Sequence, residues 1–219
     1  YPLLIKPNHT CGGRGMTLVR NSEELRARFD GVYRQYGACH LQEYIPQGGA
    51  QVEVQLYINK QQELVASSVI YKYRWYPENG GSSCCATSVK NDKVVFLSDY
   101  AHHPNVMELN PRVPACVKAV VVSGVDWPNI ILNEYIGKPH VKPTFKQGVL
   151  LKHLGMEALW FVYSNNRFKT KPSLLKLFGR KVYYQDLDWS DPMPFIKGTW
   201  HNFKKQLSPS FRKSKSGTR

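Results

Sequence analysis

The chain has 219 residues, 42% hydrophobic and 21% charged, with 9 Phe, 5 Trp and 13 Tyr, enough apolar material for one sizeable core or two small ones. This composition excludes intrinsic disorder, collagen and coiled coil for the bulk of the chain, and no apolar run approaches the ~20 residues that span a bilayer. The net charge of +14 is uneven: residues 1–137 hold 13 Lys and Arg against 12 Asp and Glu, a balance of +1, whereas residues 138–219 hold 17 against 4, a balance of +13.

Tyr1 opens directly into an apolar strand, as expected of a fragment of a longer protein. Strands are predicted over 3–6 and 16–20, flanking the glycine-rich turn Cys11-Gly-Gly-Arg-Gly15. Asn21 with Glu24 three residues on forms a capping pair, and Leu25, Phe29, Val32 and Tyr36 follow at helical spacing up to Gly37. A short strand over 40–45 ends at Pro46. Val52, Val54, Leu56 and Ile58 alternate with polar residues, which predicts a strand with one wet face, and after a turn at Asn59-Lys60-Gln61 the return strand runs over 64–76. Lys72, Arg74 and Tyr76 share one face of it, since side chains two apart point the same way. A strand begins near Ser82-Ser83, and two more are predicted over 93–97 and 105–109. Helices are predicted over 114–123 and 127–135, the second capped by Asp126, with helical patches over 155–163 and 194–207. Residues 208–219 read as a basic tail. Strands and helices intermixed, with hairpins, give an α+β class. The five cysteines (Cys11, Cys39, Cys84, Cys85 and Cys116) show no metal-ligand spacing, which predicts reduced thiols in a cytoplasmic protein.

Three features point to nucleotide chemistry. Lys6 ends a strand before a loop of small residues, where backbone N–H groups can approach phosphate oxygens and a lysine adds a point charge. Leu41-Gln-Glu-Tyr-Ile-Pro46 is a strand that breaks at proline, the form of an adenine hinge. In Met107-Glu-Leu-Asn-Pro-Arg112, Glu108 and Asn110 project to one face of a strand; a carboxylate with a carboxamide oxygen suits Mg²⁺, and Arg112 can reach a phosphate or a substrate carboxylate. In hydrolase terms the chain offers little: no local base accompanies Cys84-Cys85, and His102-His103 lie in a turn.

In this order the pieces Leu-Ile-Lys-Pro, glycine-rich loop, Gln-Glu-Tyr-Ile-Pro, Lys72-Tyr-Arg74, Gly80-Gly81-Ser82-Ser83 and Glu-Leu-Asn-Pro-Arg resemble the ATP-grasp superfamily. Within it the chain resembles the carbamoyl-phosphate-synthase-like carboxylate–amine ligases of the bacterial polysaccharide-associated type, without their N-terminal domain. The resemblance implies ATP-grasp-like antiparallel sheets with flanking helices, followed by a mostly helical basic C-terminal extension. It divides the chain into part of the small lid subdomain (1–50), the large subdomain with the metal site (51–137), the extension (138–207) and the tail (208–219). It also implies that Lys6 contacts phosphate and that Gly12, Gly13, Arg14 and Gly15 form the lid over the nucleotide. Glu43, Tyr44 and Ile45 would then line the adenine hinge, with Glu53 at the ribose. Lys72, Arg74 and Arg112 would serve the reacting phosphoryl group and substrate, and Glu108 and Asn110 would hold Mg²⁺.

The activity implied is ATP- and Mg²⁺-dependent ligation of a carboxylate to an amine. One departure is Lys93-Val-Val-Phe-Leu-Ser-Asp99, with Val94 or Val95 where the family places an acidic metal ligand. It keeps open a nucleotide-binding protein without turnover. The basic back half raises another alternative, a module for nucleic acid or an anionic surface. For the tail over 208–219 the expectation is weak membrane-surface association, to which each Lys or Arg contributes about 1 kcal/mol, with no nucleic-acid partner.

Overall fold

The computed structural model describes residues 1–10, 13–46, 51–76, 78, 81–89, 113, 116–139 and 143–208. Contacts divide the chain into two compact units, Tyr1–Gly49 with Tyr76–Ser82 and Asp188–Arg219, and Ala50–Trp75 with Ser83–Leu187.

The first unit holds a three-stranded antiparallel sheet in the order β2-β1-β3, built from β1 (Leu3–Pro7), β2 (Thr17–Val19) and β3 (Cys39–Glu43). Ile5 and Val19 are fully buried on it, each contributing about 1.5–3 kcal/mol. Helix α1 (Ser22–Tyr36) packs on this sheet. Its start follows from local chemistry: Asn21 Oδ1 accepts from the Glu24 N–H (2.8 Å), and Glu24 Oε2 accepts from the Arg20 N–H (3.0 Å), which satisfies two donors at the helix entrance. Gly37, at φ 78°, ends the helix in a conformation that side chains resist. Helix α5 (Met193–Leu207) belongs to the same unit.

The second unit is a five-stranded sheet in the order β4-β5-β6-β7-β8, from β4 (Gln51–Ile58), β5 (Leu64–Tyr76), β6 (Ser82–Val89), β7 (Leu150–Lys152) and β8 (Val182–Tyr184). The pairs β4/β5 and β6/β7 are antiparallel and β7/β8 is parallel. Ala66, Ile70, Ala86 and Leu151 form a core with Ala119 and Val120 of α2 (Val117–Val122), with Val125, and with Trp127 and Ile130 of α3 (Trp127–Tyr135). Asp126 caps α3, its Oδ1 accepting from the Asn129 N–H at 3.2 Å. Helix α4 (Leu154–Tyr163) follows β7 directly.

The architecture is α+β, with antiparallel sheets and flanking helices, consistent with an ATP-grasp-like fold. The predicted return strand and the helix over 127–135 match β5 and α3 residue for residue, while the strand expected over 40–45 stops at Glu43. The strands expected over 93–97 and 105–109, and the tail beyond 208, lie outside the described residues. Strands β7 and β8 were not anticipated. Each has only three residues, too few to show a period of two.

Candidate functional site

In the first unit Lys6 lies on β1 opposite His40 of β3, and its Nζ donates to Gln42 Oε1 (3.2 Å), two residues further along that strand. Residues 13–15 form a turn. Thr10 Oγ1 donates to the Arg14 carbonyl (2.9 Å) and the Met16 N–H to the Gly13 carbonyl (3.4 Å). Gly13 and Gly15 both have positive φ (73° and 75°). Any Cβ at Gly15 would come within 2.7 Å of the Tyr36 ring, so this turn sits against the end of α1 only because the residue is glycine. Arg14 is exposed. Glu43, the last residue of β3, is exposed, and Tyr44 and Ile45 beyond it are half-buried. The Tyr44 N–H donates to the Pro2 carbonyl at 3.3 Å. Gly12 lies outside the described residues.

In the second unit the structure brings Glu53 and Lys72 together. They sit on neighbouring strands β4 and β5, with Lys72 Nζ 3.0 Å from Glu53 Oε2. Gln55 Nε2 donates to the other carboxylate oxygen at 2.8 Å. Cys116 is close by: burial pushes its thiol up to about 11, with Glu53 adding to the rise and Lys72 and a hydrogen bond with Ser83 opposing it. Both charged side chains keep a fifth to a quarter of their surface in solvent.

Two residues along the same face of β5, Arg74 is only 2% exposed. Its Nε donates to Glu157 Oε1 (2.8 Å), and its terminal nitrogens reach Glu157, Thr170 Oγ1 and the Pro172 carbonyl. The guanidinium carbon lies 5.2 Å from the centre of the Trp160 ring, a cation–π contact. The second Glu157 oxygen lies 2.7 Å from Nζ of Lys152, a fully buried lysine that also donates to the Leu174 and Lys176 carbonyls (2.8 and 3.2 Å). Two cations thus share one buried carboxylate. The neighbouring Cys85 is raised to about 12 by burial, against the pull of Arg74.

Glu157 and Lys152 went unnoticed in the sequence. The available signal was Glu157 itself, one of four acidic residues after position 137, placed inside the apolar run Leu-Gly-Met-Glu-Ala-Leu-Trp; a charge within such a run implies a buried partner. The remaining predicted site residues, Glu108, Asn110 and Arg112, lie outside the described residues. Among the described residues no group of three His, Cys, Asp or Glu side chains could hold a metal ion.

Comparison with curated proteins finds no match, and comparison with solved structures finds none. Against family models, residues 1–68 match the carbamoyl-phosphate synthase L chain, ATP-binding domain. The matched segment includes Lys6, the glycine turn, Glu43 and Glu53 and ends within β5, before Lys72 and Arg74. The match supports an ATP-grasp, carbamoyl-phosphate-synthase-like relationship for this part of the chain.

Proposed function

We propose that the chain is part of an ATP-dependent ligase of the ATP-grasp type that joins a carboxylate to an amine, in the manner of the polysaccharide-associated enzymes it resembles. The observation that carries this reading is the coincidence of the family match over residues 1–68 with a lysine at a strand end and a turn of positive-φ glycines beside it. Such a turn presents backbone N–H groups to phosphate oxygens without side-chain obstruction.

In the reaction, a carboxylate oxygen attacks the γ-phosphorus, the bond to the bridging oxygen breaks, and ADP leaves with that electron pair. The amine then attacks the acyl carbon of the acylphosphate, phosphate departs, and the amine gives up a proton to leave an amide. The residues' task is positioning and charge neutralisation. Lys6 and the 13–15 turn bind phosphate. Lys72 is the cation of β5 that retains solvent exposure, and it is assigned to the charge developing on the transferred group. Arg74, held by Glu157, Thr170 and Pro172, fixes the end of the strand that carries Lys72. Glu108 and Asn110 would supply oxygen ligands to Mg²⁺.

Calorimetric titration of the chain with Mg-ATP tests the reading. Binding is expected, with at least a tenfold weaker affinity for Lys6→Met. No heat at millimolar nucleotide overturns it. Binding without ADP release across a panel of carboxylates and amines supports the alternative, a nucleotide-binding protein without turnover.

A further inference from the structure

Helix α5 (Met193–Leu207) presents an apolar stripe to solvent. Met193, Ile196, Trp200, Phe203 and Leu207 recur at intervals of three and four, and each is between 48% and 62% exposed. At 100° per residue they fall within a strip about 80° wide. The half-buried positions Phe195 and Gly198 lie on the other side of the helix, and half-buried Thr199 borders the strip on the edge away from the lysines. Trp200 and Phe203 stack on each other, with ring centres 5.9 Å apart, so the aromatic surface is assembled and still faces outward. Lys197 and Lys204 border the strip along one edge, and Lys204 Nζ lies 5.3 Å from the centre of the Trp200 ring. The chain has no acidic residue after Asp191.

We infer that α5 is an interfacial helix that docks on an anionic phospholipid surface, its apolar stripe in the headgroup–acyl boundary and its lysines on the lipid phosphates. A cation-flanked apolar strip carrying a tryptophan is the form such helices take. Among the described residues no helix is long and apolar enough to cross a membrane, and α5 in this role lies on the lipid surface. Charge complementarity selects this occupant over the others. A second copy of the chain packed antiparallel on the stripe would bring Lys197 and Lys204 against their own equivalents. Nucleic acid uses the cations and stacks on aromatics but gives no reason for Met193, Ile196 and Leu207 to be exposed. The back half supplies the wider field, 17 basic residues against 4 acidic over 138–219, which draws the chain to an anionic leaflet.

Vesicle co-sedimentation of the full 219-residue chain tests this, using vesicles of phosphatidylcholine alone and with about a third phosphatidylserine. Binding to the anionic vesicles is expected to be at least about tenfold stronger than to the neutral ones and to weaken with salt. The double substitution Ile196→Glu with Phe203→Glu alters two side chains more than half exposed; it is expected to reduce binding at least about tenfold with unchanged circular dichroism. Lys197→Gln with Lys204→Gln provides a second variant, expected to weaken the preference for anionic vesicles while keeping the apolar stripe. Tryptophan emission is expected to shift to shorter wavelength on binding, and the shift to shrink in Trp200→Phe. The inference is overturned by absence of vesicle binding, by binding that the glutamate variant retains in full, by retention of duplex DNA without vesicles, or by a stripe-dependent dimer that ignores vesicles.

Discussion

Lys72 and Arg74 stand two residues apart on one face of the same strand, and each is tied to a glutamate from another element. Solvent separates them physically. The Lys72 and Glu53 side chains are 25% and 21% exposed, those of Arg74 and Glu157 1% and 4%. Water screens the first pair, which is therefore worth about 0.2–1 kcal/mol. In the second group, desolvation of Arg74, Lys152 and Glu157 opposes their attraction, and every partner is needed to make burial tolerable. A lysine in the first setting can exchange its partner for a phosphate oxygen at little cost. An arginine in the second cannot, and its position serves the architecture of β5, α4 and the 170–176 segment.

The sharpest test of that contrast removes the shared carboxylate. Glu157→Gln leaves Arg74 and Lys152 buried without a counter-charge, and the expected loss is about 3–5 kcal/mol, read as a lower midpoint in urea unfolding. A loss below about 1 kcal/mol would place the group in the same regime as Glu53 and Lys72.

The two thiols report on the same surroundings. Cys85 lies near Arg74, Glu157 and Lys152 and is pushed up to about 12; Cys116 lies near Glu53 and Lys72 and is pushed up to about 11, both from an ordinary 9.0. In each case the thiol is protonated in the fold over a range where the unfolded chain has lost the proton. The stability this contributes is complete below pH 9 and falls as pH rises through the range from 9 to the folded values, by about 1.4 kcal/mol per pH unit per thiol. Tyr73 and Tyr184, also raised by burial, add a loss of the same sign at higher pH. Unfolding free energies measured across pH 9 to 11 in the wild type, Cys85→Ala and Cys116→Ala check the slope, each alanine variant being expected to flatten it. Near pH 8 iodoacetamide is expected to modify Cys85 and Cys116 far more slowly than a free cysteine, since burial keeps both thiols protonated.

The parts of this molecule that sequence reading reached are those encoded locally. The Asn21 and Asp126 caps and the glycine stop at Gly37 lie within a few residues of the structure they specify, whereas the alternation in β4 marks the strand but not its buried side, since Val52, Leu56 and Ile58 are exposed and Gln55 is buried. The face shared by Lys72 and Arg74 follows from the strand period. The Lys72–Glu53 contact, 19 positions apart in the chain, needed the hairpin register that pairs Gln51 with Lys72 and Glu53 with Ile70. The burial of Arg74 is not legible in the sequence because its partner stands 83 positions away, and no local pattern announces which glutamate a buried arginine will meet. The strands β7 and β8 escaped for the same reason: three residues become a strand only because a neighbour is there to receive them, β6 for β7 and β7 for β8.

The smallest expected effect concerns the exposed pair. A double-mutant cycle on Glu53→Gln and Lys72→Gln is expected to give a coupling of about 0.2–1 kcal/mol. Because the pair is a fifth to a quarter exposed, the coupling should shrink as salt shortens the reach of charge to about 8 Å at physiological ionic strength. The two substitutions should part company in turnover. If Lys72 meets the transferring phosphoryl group, Lys72→Gln lowers kcat for ADP release at least tenfold with little change in nucleotide affinity, since the charge it stabilises develops only as the bond breaks. Glu53→Gln frees the ammonium without removing it and is expected to shift kcat far less. Equal losses in the two variants would mean that the pair acts as a structural clip across β4 and β5. The phosphoryl role would then pass to a cation elsewhere, and Lys72 would join Arg74 among the residues that hold the strand.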